Sequence, residues 1–267
     1  MTTSRDEVLL QAGDGTELAA DIYHPEGPPR GGVVVVHGFS ATRRLAAVVE
    51  QAKALADRGF LVLAFDTRGH GTSGGDCTLG RLEACDVAAA VGRLRPEVPA
   101  VVTVGASMGA VAVLAHAVGD QPDQPDQPDQ PGPDGLAGIV LVSMATSWHS
   151  VLTPRGLAAT FLTRTRVGRT YTRRRTGIRV ASQWERGEPP TALVRRVHIP
   201  VAIVHGQQDR MIRPSAAHDL FAAAPGPRRL DLVAGMGHSF QPAAVPAVTR
   251  AVEWAFDQGR VIRHPRT

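Results

Sequence analysis

The sequence predicts an α/β fold: a mostly parallel sheet with helices on both faces and a small helical cap inserted late in the chain. Three observations point there. Short apolar runs alternate with helical patterns, as crossovers between parallel strands require. Residues 33–37 open on four consecutive valines, a continuous apolar run that suits a strand covered on both faces. Gly13, Asp14 and Gly15 form a turn signal between two short strands, so an antiparallel hairpin leads the sheet.

Taken in order, the hairpin strands are residues 7–11 and 17–23, and the first buried strand is 33–37. A helix at 43–58 ends at Gly59, which suits the left-handed position after a helix. Residues 61–65 form the next strand and 66–76 a loop. A helix at 82–94, a strand at 101–104 and a helix at 107–118 follow. Residues 121–130 repeat Gln-Pro-Asp and run on into Pro131, Gly132 and Pro133. Proline at every third position removes backbone donors, so this stretch reads as a disordered or extended surface loop. Strands at 139–142, 200–205 and 230–233 complete the sheet, with helices at 214–224 and 246–258. Residues 146–196 break the alternation with a helical stretch at 154–163 and an arginine-rich segment of no clear period. The organisation is therefore a core at 1–145 (containing the loop 121–134), a cap insertion at 146–196 that suits the carboxyl ends of the strands, and a second core part at 197–267.

At 267 residues and 43% hydrophobic, the chain can bury one large core. No apolar run approaches the ~20 residues of a membrane span. The first seven residues lack the apolar centre of a secretion signal, so a cytoplasmic protein is expected. Cys77 and Cys85 have no metal-ligand company and read as packing residues, so neither a disulfide framework nor a metal is expected. The net charge of +4 conceals a cluster: residues 146–196 hold eleven arginines against Glu185 and Glu188. Such a segment is either a solvated face or a surface that meets anions. Its aromatic residues Trp148, Phe161, Tyr171 and Trp184 show no stacking pattern, which argues against nucleic acid.

The chemistry is concentrated in Gly105-Ala106-Ser107-Met108-Gly109, where a β-branched strand runs straight into an alanine-rich helix. A serine on so tight a turn has its Oγ pushed out of the backbone path, and the two glycines remove side chains that would block the bend. The helix also directs its positive end at the serine. A serine hydroxyl needs a base to take its proton, and the base needs an orienting acid. Asp209 follows the strand at 200–205, and His238 follows the strand at 230–233 in a glycine loop, 29 residues later. Two backbone N–H groups, of Phe39 after Gly38 and of Met108 after the serine, would hold an oxyanion, each worth about 3–4 kcal/mol when well aimed. His37 reads as a support for that loop. Met144, Trp148, Phe161 and Met211, together with Phe39 and Met108, stand near these motifs as candidate pocket residues.

Ser107, Asp209 and His238 in this order, with His37-Gly38-Phe39-Ser40, Asp66-Thr67-Arg68-Gly69-His70-Gly71-Thr72-Ser73 and His205-Gly206-Gln207-Gln208-Asp209, resemble the α/β-hydrolase superfamily, in particular its esterase, monoacylglycerol-lipase and serine-aminopeptidase-like group. The resemblance covers roughly residues 7–145 and 197–258. It implies the α/β-hydrolase fold and hydrolysis of a small ester or thioester through an acyl-Ser107 intermediate, without cofactor. It also implies that Arg68 and His70 are structural. A peptidase or amidase, an acyltransferase using the same residues, and a non-catalytic small-ligand module remain as alternatives. The arginine cluster adds the expectation of an anionic group on the substrate. A serine at the elbow excludes the relatives that need a carboxylate or cysteine there. The Gln-Pro-Asp insert and the basic cap depart from the family pattern.

Overall fold

The computed structural model describes residues 3–119, 135–146, 154–185 and 187–263. The loop at 121–134 and Trp148 lie outside these residues. Among the described residues, eight strands form one sheet: β1 (Arg5–Gln11), β2 (Glu17–Tyr23), β3 (Gly31–Val36), β4 (Phe60–Phe65), β5 (Val101–Ala106), β6 (Leu136–Val142), β7 (Val201–Gly206) and β8 (Arg228–Val233). Their spatial order is β1-β2-β4-β3-β5-β6-β7-β8. The hairpin β1–β2 is antiparallel and joins β4 antiparallel; every later pairing is parallel. Each residue of β3, β4, β5, β6 and β7 is buried, the state expected of strands lacking polar alternation.

Helices cover both faces, and the two cores follow from strand geometry because alternate residues point opposite ways. On one face, Val34, Val36, Leu63 and Ile139 pack with residues of α2 (Glu83–Leu94) and α3 (Met108–Ala117). On the other, Val33, Val35, Val62 and Val140 pack with residues of α1 (Ala46–Ala56) and a C-terminal helix, Val245–Arg263. Gly31 is needed there because a Cβ would stand 2.2 Å from the Phe256 ring.

The segment after β6 holds the main departure from expectation. Helix α4 spans Pro154–Arg164, close to its expected bounds, but the arginine-rich stretch is itself a helix, α5 (Arg166–Thr176). Thr165 caps it by accepting the Gly168 N–H, and Gly177 ends it in left-handed backbone at φ 75°. Its periodicity is invisible because the residues it buries are Gly168 and Thr172, whereas Val167 and Tyr171 face solvent. Gly168 packs against the end of α4 so closely that a Cβ would meet the Phe161 carbonyl oxygen at 2.2 Å. A further short helix, α6 (Pro190–Val194), was not expected. It packs on α3 and on α7 (Ser215–Ala223), burying Leu193 and Val194 in the core. Residues 190–194, inside the expected insertion, thus pack on the core. The helix Val245–Arg263 is α8.

The returning segment of the cap is sewn to the loop after β4. The Cys77 N–H donates to the Arg179 carbonyl at 2.7 Å, the Arg179 N–H to Gly69 at 2.9 Å and the Ala181 N–H to Cys77 at 2.9 Å. Gly69 must be glycine at this crossing: φ is +74° and a Cβ would stand 2.4 Å from the Arg179 oxygen.

Candidate active site

Strand β5 ends at Ala106, and Ser107 turns the chain into α3 with φ 54° and ψ −114°, a conformation that a serine adopts only when its surroundings impose it. Those surroundings are backbone. A Cβ on Gly105 would meet the Gly109 oxygen at 2.2 Å, and one on Gly109 would meet the Val36 and His37 oxygens at 2.5 Å. The Ser107 N–H is tied to the Val142 carbonyl at 2.9 Å.

Two further strand ends bring the other expected residues to Ser107. The loop after β7 and the loop after β8 touch backbone to backbone: a Cβ on Gly206 would stand 2.2 Å from the Gly237 oxygen, and the Gln208 N–H donates to Met236 at 3.0 Å. His238 Nδ1 lies 2.8 Å from Asp209 Oδ2, and its Nε2 lies 3.0 Å from Ser107 Oγ. The carboxylate can only accept, so Nδ1 carries the ring proton and Nε2 is free to accept from the serine hydroxyl.

The Asp209 side chain is fully buried. Its other oxygen, Oδ1, accepts the N–H groups of Met211 at 2.8 Å and Ile212 at 2.9 Å. Burial pushes this carboxyl up, but donors from His205 and His238, the His238 charge and the Ile212 amide outweigh it and hold the group well below the usual carboxylate range.

The histidine loop has supports that spacing did not reveal. Gln241 Oε1 accepts the Gly237 N–H at 2.9 Å, and the Ser239 N–H donates to Ser143 Oγ at 3.1 Å. Ser143 and Ser239 both have positive φ, 50° and 68°. Nothing in their local sequence signals this, because contacts between distant loops impose it.

Met108 and Phe39, the expected oxyanion donors, stand at the start of α3 and after β3. Among the described residues neither backbone N–H has a protein acceptor. Two histidines hold the Phe39 loop. His37 Nε2 accepts the Thr67 N–H at 3.1 Å, which leaves Nδ1–H to donate to the Gly38 carbonyl at 2.8 Å. Burial, reinforced by His70, draws the His37 pKa down to about 4 and keeps it neutral. His70 Nε2–H donates to the Phe39 carbonyl at 2.6 Å. Arg68 is bound to Asp86 and Asp14, with Nη contacts of 2.7 Å to each. These three residues therefore act as supports in this geometry.

The expected pocket residues are placed unevenly. Phe39 and Met108 pack with Cys77, Leu79, Ile178, Val180 and Trp184 in a small cluster of their own. Met144 is corrected: it is fully buried in the main core, so it offers no surface to a ligand. Phe161 projects into solvent from α4, 54% exposed. Met211 serves the site through its backbone N–H. Ile178, Val180 and Trp184 join Met108 across the crossing at Gly69, which residue spacing does not reveal, and Cys77 is fully buried there as a packing residue. Beside that cluster lies a cavity of about 600 Å³, lined by Thr78, Arg81, Leu82, Arg164, Trp184 and Glu185 among others. That volume is typical of small-ligand sites. Arg81 pairs with Glu185 at 2.7 Å; Arg164 sits 4.1 Å from the Trp184 ring centre and has no carboxylate partner among the described residues.

Comparison with known proteins agrees with this architecture. The sequence profile of the serine aminopeptidase (S33) family matches residues 27–186. A monoacylglycerol lipase of Mycolicibacterium smegmatis is 33% identical over 75 residues, covering 28% of this chain and 26% of that protein. The matched stretch thus spans about a quarter of that relative's length. Among solved structures, an esterase of Pyrococcus furiosus superposes with a TM-score of 0.69 at 17% identity, covering 98% of this chain and 92% of that one. Est1E of Butyrivibrio proteoclasticus, solved with ferulic acid bound, gives 0.65 at 19% identity, covering 94% and 99%. At these identities the superpositions establish the fold alone.

Proposed function

Because the chain belongs to the serine aminopeptidase (S33) family of α/β-hydrolases, we propose that it cleaves a small carboxylic ester or thioester through an acyl-enzyme on Ser107. The observation that supports this reading is the continuous contact from Ser107 Oγ through His238 to Asp209, at 3.0 and 2.8 Å, on a serine held at positive φ. Ser107 Oγ attacks the carbonyl carbon while His238 Nε2 takes its proton. The oxyanion that forms is met by the Met108 and Phe39 N–H groups and by the positive end of α3. His238 then gives the proton to the leaving oxygen or sulfur, and the acyl group remains on Ser107. A water molecule, deprotonated by His238, releases the acid. Asp209 keeps the ring in the required tautomer and stabilises the imidazolium.

Labelling by a fluorophosphonate tests this directly. The wild-type protein is expected to be labelled at Ser107, and Ser107→Ala to lose both labelling and hydrolysis of p-nitrophenyl esters by about 10⁴-fold or more. An unlabelled wild-type protein, or a Ser107→Ala variant that keeps its activity, overturns the proposal. The same assay with graded esters, thioesters and aminoacyl amides separates esterase from amidase chemistry, and a glycerol monoester belongs in it because of the relative's name.

A second, narrower reading concerns the substrate. The cavity lined by Trp184, a residue that also packs on the Met108 cluster, presents Arg164 without a carboxylate partner among the described residues, so an anionic group on the acyl or leaving side would be bound there. A coenzyme A thioester should then be preferred over its short uncharged analogue, by a ratio that falls with salt and in Arg164→Gln. Equal kcat/KM for the two, independent of salt, removes this reading and leaves the first intact.

A further inference from the structure

Strand β7 is buried throughout, and five of its six residues are apolar or glycine; the sixth is His205, with no exposed side-chain surface. Its Nε2 lies 3.1 Å from the Ile212 carbonyl oxygen. A carbonyl can only accept, so Nε2 carries the ring proton and Nδ1 is a bare acceptor. That Nδ1 is buried without a hydrogen-bond partner. A leucine or phenylalanine would fill the same space without the cost of an orphaned nitrogen, so the ring is explained by what Nε2–H does.

We infer that His205 is a positioning residue that braces both carboxylate oxygens of Asp209; the inference rests on the catalytic reading of Asp209 given above. Nε2 is 3.4 Å from Asp209 Oδ2, the oxygen that also receives His238 Nδ1–H at 2.8 Å. The Nε2–H makes its hydrogen bond to the Ile212 carbonyl while its positive end stays near Oδ2, and the Ile212 N–H donates to Asp209 Oδ1 at 2.9 Å. One ring therefore acts directly on Oδ2 and, through a single residue of the turn, on Oδ1. Asp209 stands three residues beyond the end of β7, and this brace ties its loop back to the strand. With the carboxylate so fixed, Oδ2 is aimed at His238 before substrate arrives, which is the preorganisation a proton relay needs.

The test compares His205→Phe, His205→Gln and His205→Asn. Glutamine places an N–H near the position of Nε2, whereas asparagine is too short to do so. Expected are a fall in kcat of about 10–100-fold with p-nitrophenyl butyrate at nearly constant KM for the Phe and Asn variants, and recovery of most of that loss by Gln. The low-field proton resonance of His238 Nδ1–H should be broadened or displaced in Phe and Asn and restored in Gln. If the Phe variant lacks a cooperative thermal transition, the Gln and Asn pair carries the comparison. An unmoved resonance, an unchanged kcat, or Gln behaving like Asn overturns the inference. Fluorophosphonate labelling in parallel keeps the two readings apart. An unlabelled wild-type protein defeats the catalytic reading, whereas equal labelling rates in wild type and variants defeat only the role of His205.

Discussion

Strand β5 and helix α5 dispose their side chains in opposite ways. All six residues of β5 are buried, in a sheet whose helices cover both faces. Helix α5 buries only Gly168 and Thr172 and turns Val167 and Tyr171 outward beside Arg173, Arg174 and Arg175; α4 likewise exposes Leu157 and Phe161. The sheet gains its stability from apolar area removed from water, and the hairpin of α4 and α5 is held by close backbone approach at Gly168 and by the bond from Thr172 Oγ1 to the Leu162 carbonyl at 3.4 Å. The consequence is functional. Ser107 and Asp209 hang from the carboxyl ends of the buried strands β5 and β7, where displacing them means disturbing the core, and His238 follows the half-buried edge strand β8. Residues 178–185 meet the Met108 cluster and the loop after β4 at Gly69, Cys77 and Arg81.

This contrast predicts a graded set of responses. The largest belongs to the elbow. Gly105→Val puts a side chain against the Gly109 backbone, where a Cβ alone is already at 2.2 Å, so we expect a loss of about 3 kcal/mol or more in denaturant unfolding, together with loss of Ser107 labelling. A variant as stable as wild type would break the claim that backbone crowding dictates the turn.

An intermediate effect is expected from His116 on α3, which is buried with an unpartnered Nδ1 and whose pKa burial draws down to about 4. Its unfolded value is about 6.5, so the unfolded chain binds the proton more readily. The stability of the neutral ring is therefore complete above about pH 6.5 and is lost as pH falls toward 4, at up to about 1.4 kcal/mol per pH unit. His37 adds a similar loss over the same window. His116→Leu should make the decline in unfolding free energy between pH 7 and 4 clearly shallower; an unchanged slope would show that the ring titrates alike in the folded and unfolded chain.

The smallest effect should come from the cap. Val167→Ser combined with Tyr171→Ser, at positions 72% and 55% exposed, is expected to change stability by no more than about 0.5 kcal/mol. A cost above about 2 kcal/mol would mean that this face is covered in solution and that the hairpin is an interface.

Much of the core was legible along the chain. Runs such as Val33 to Val36 and Leu61 to Phe65 announce strands buried on both faces, and the observed bounds differ by one or two residues. Strand β6 is longer than its apolar end suggested, beginning at Leu136, because Ala137 and Gly138 carry little hydrophobic signal. Helix α5 was illegible for the opposite reason: its apolar residues face out, although Thr165 and Gly177 at its ends were available as capping signals. Met144 looked like a wall of the site from its place after β6, yet it points into the core, since one residue of register decides which side of a strand end a side chain takes.

From residue order alone followed the succession of elements, the glycine-flanked serine turn, and a serine, an aspartate and a histidine placed behind three of the strands. Folding decided their separations, the two loops in contact at Gly206 and Gly237, the apolar company of Met108, and the brace that His205 gives to Asp209. The division is physical. Periodicity and turn chemistry report how one segment meets water, whereas contacts between segments far apart in the chain depend on how closely their backbones approach, which no single stretch encodes.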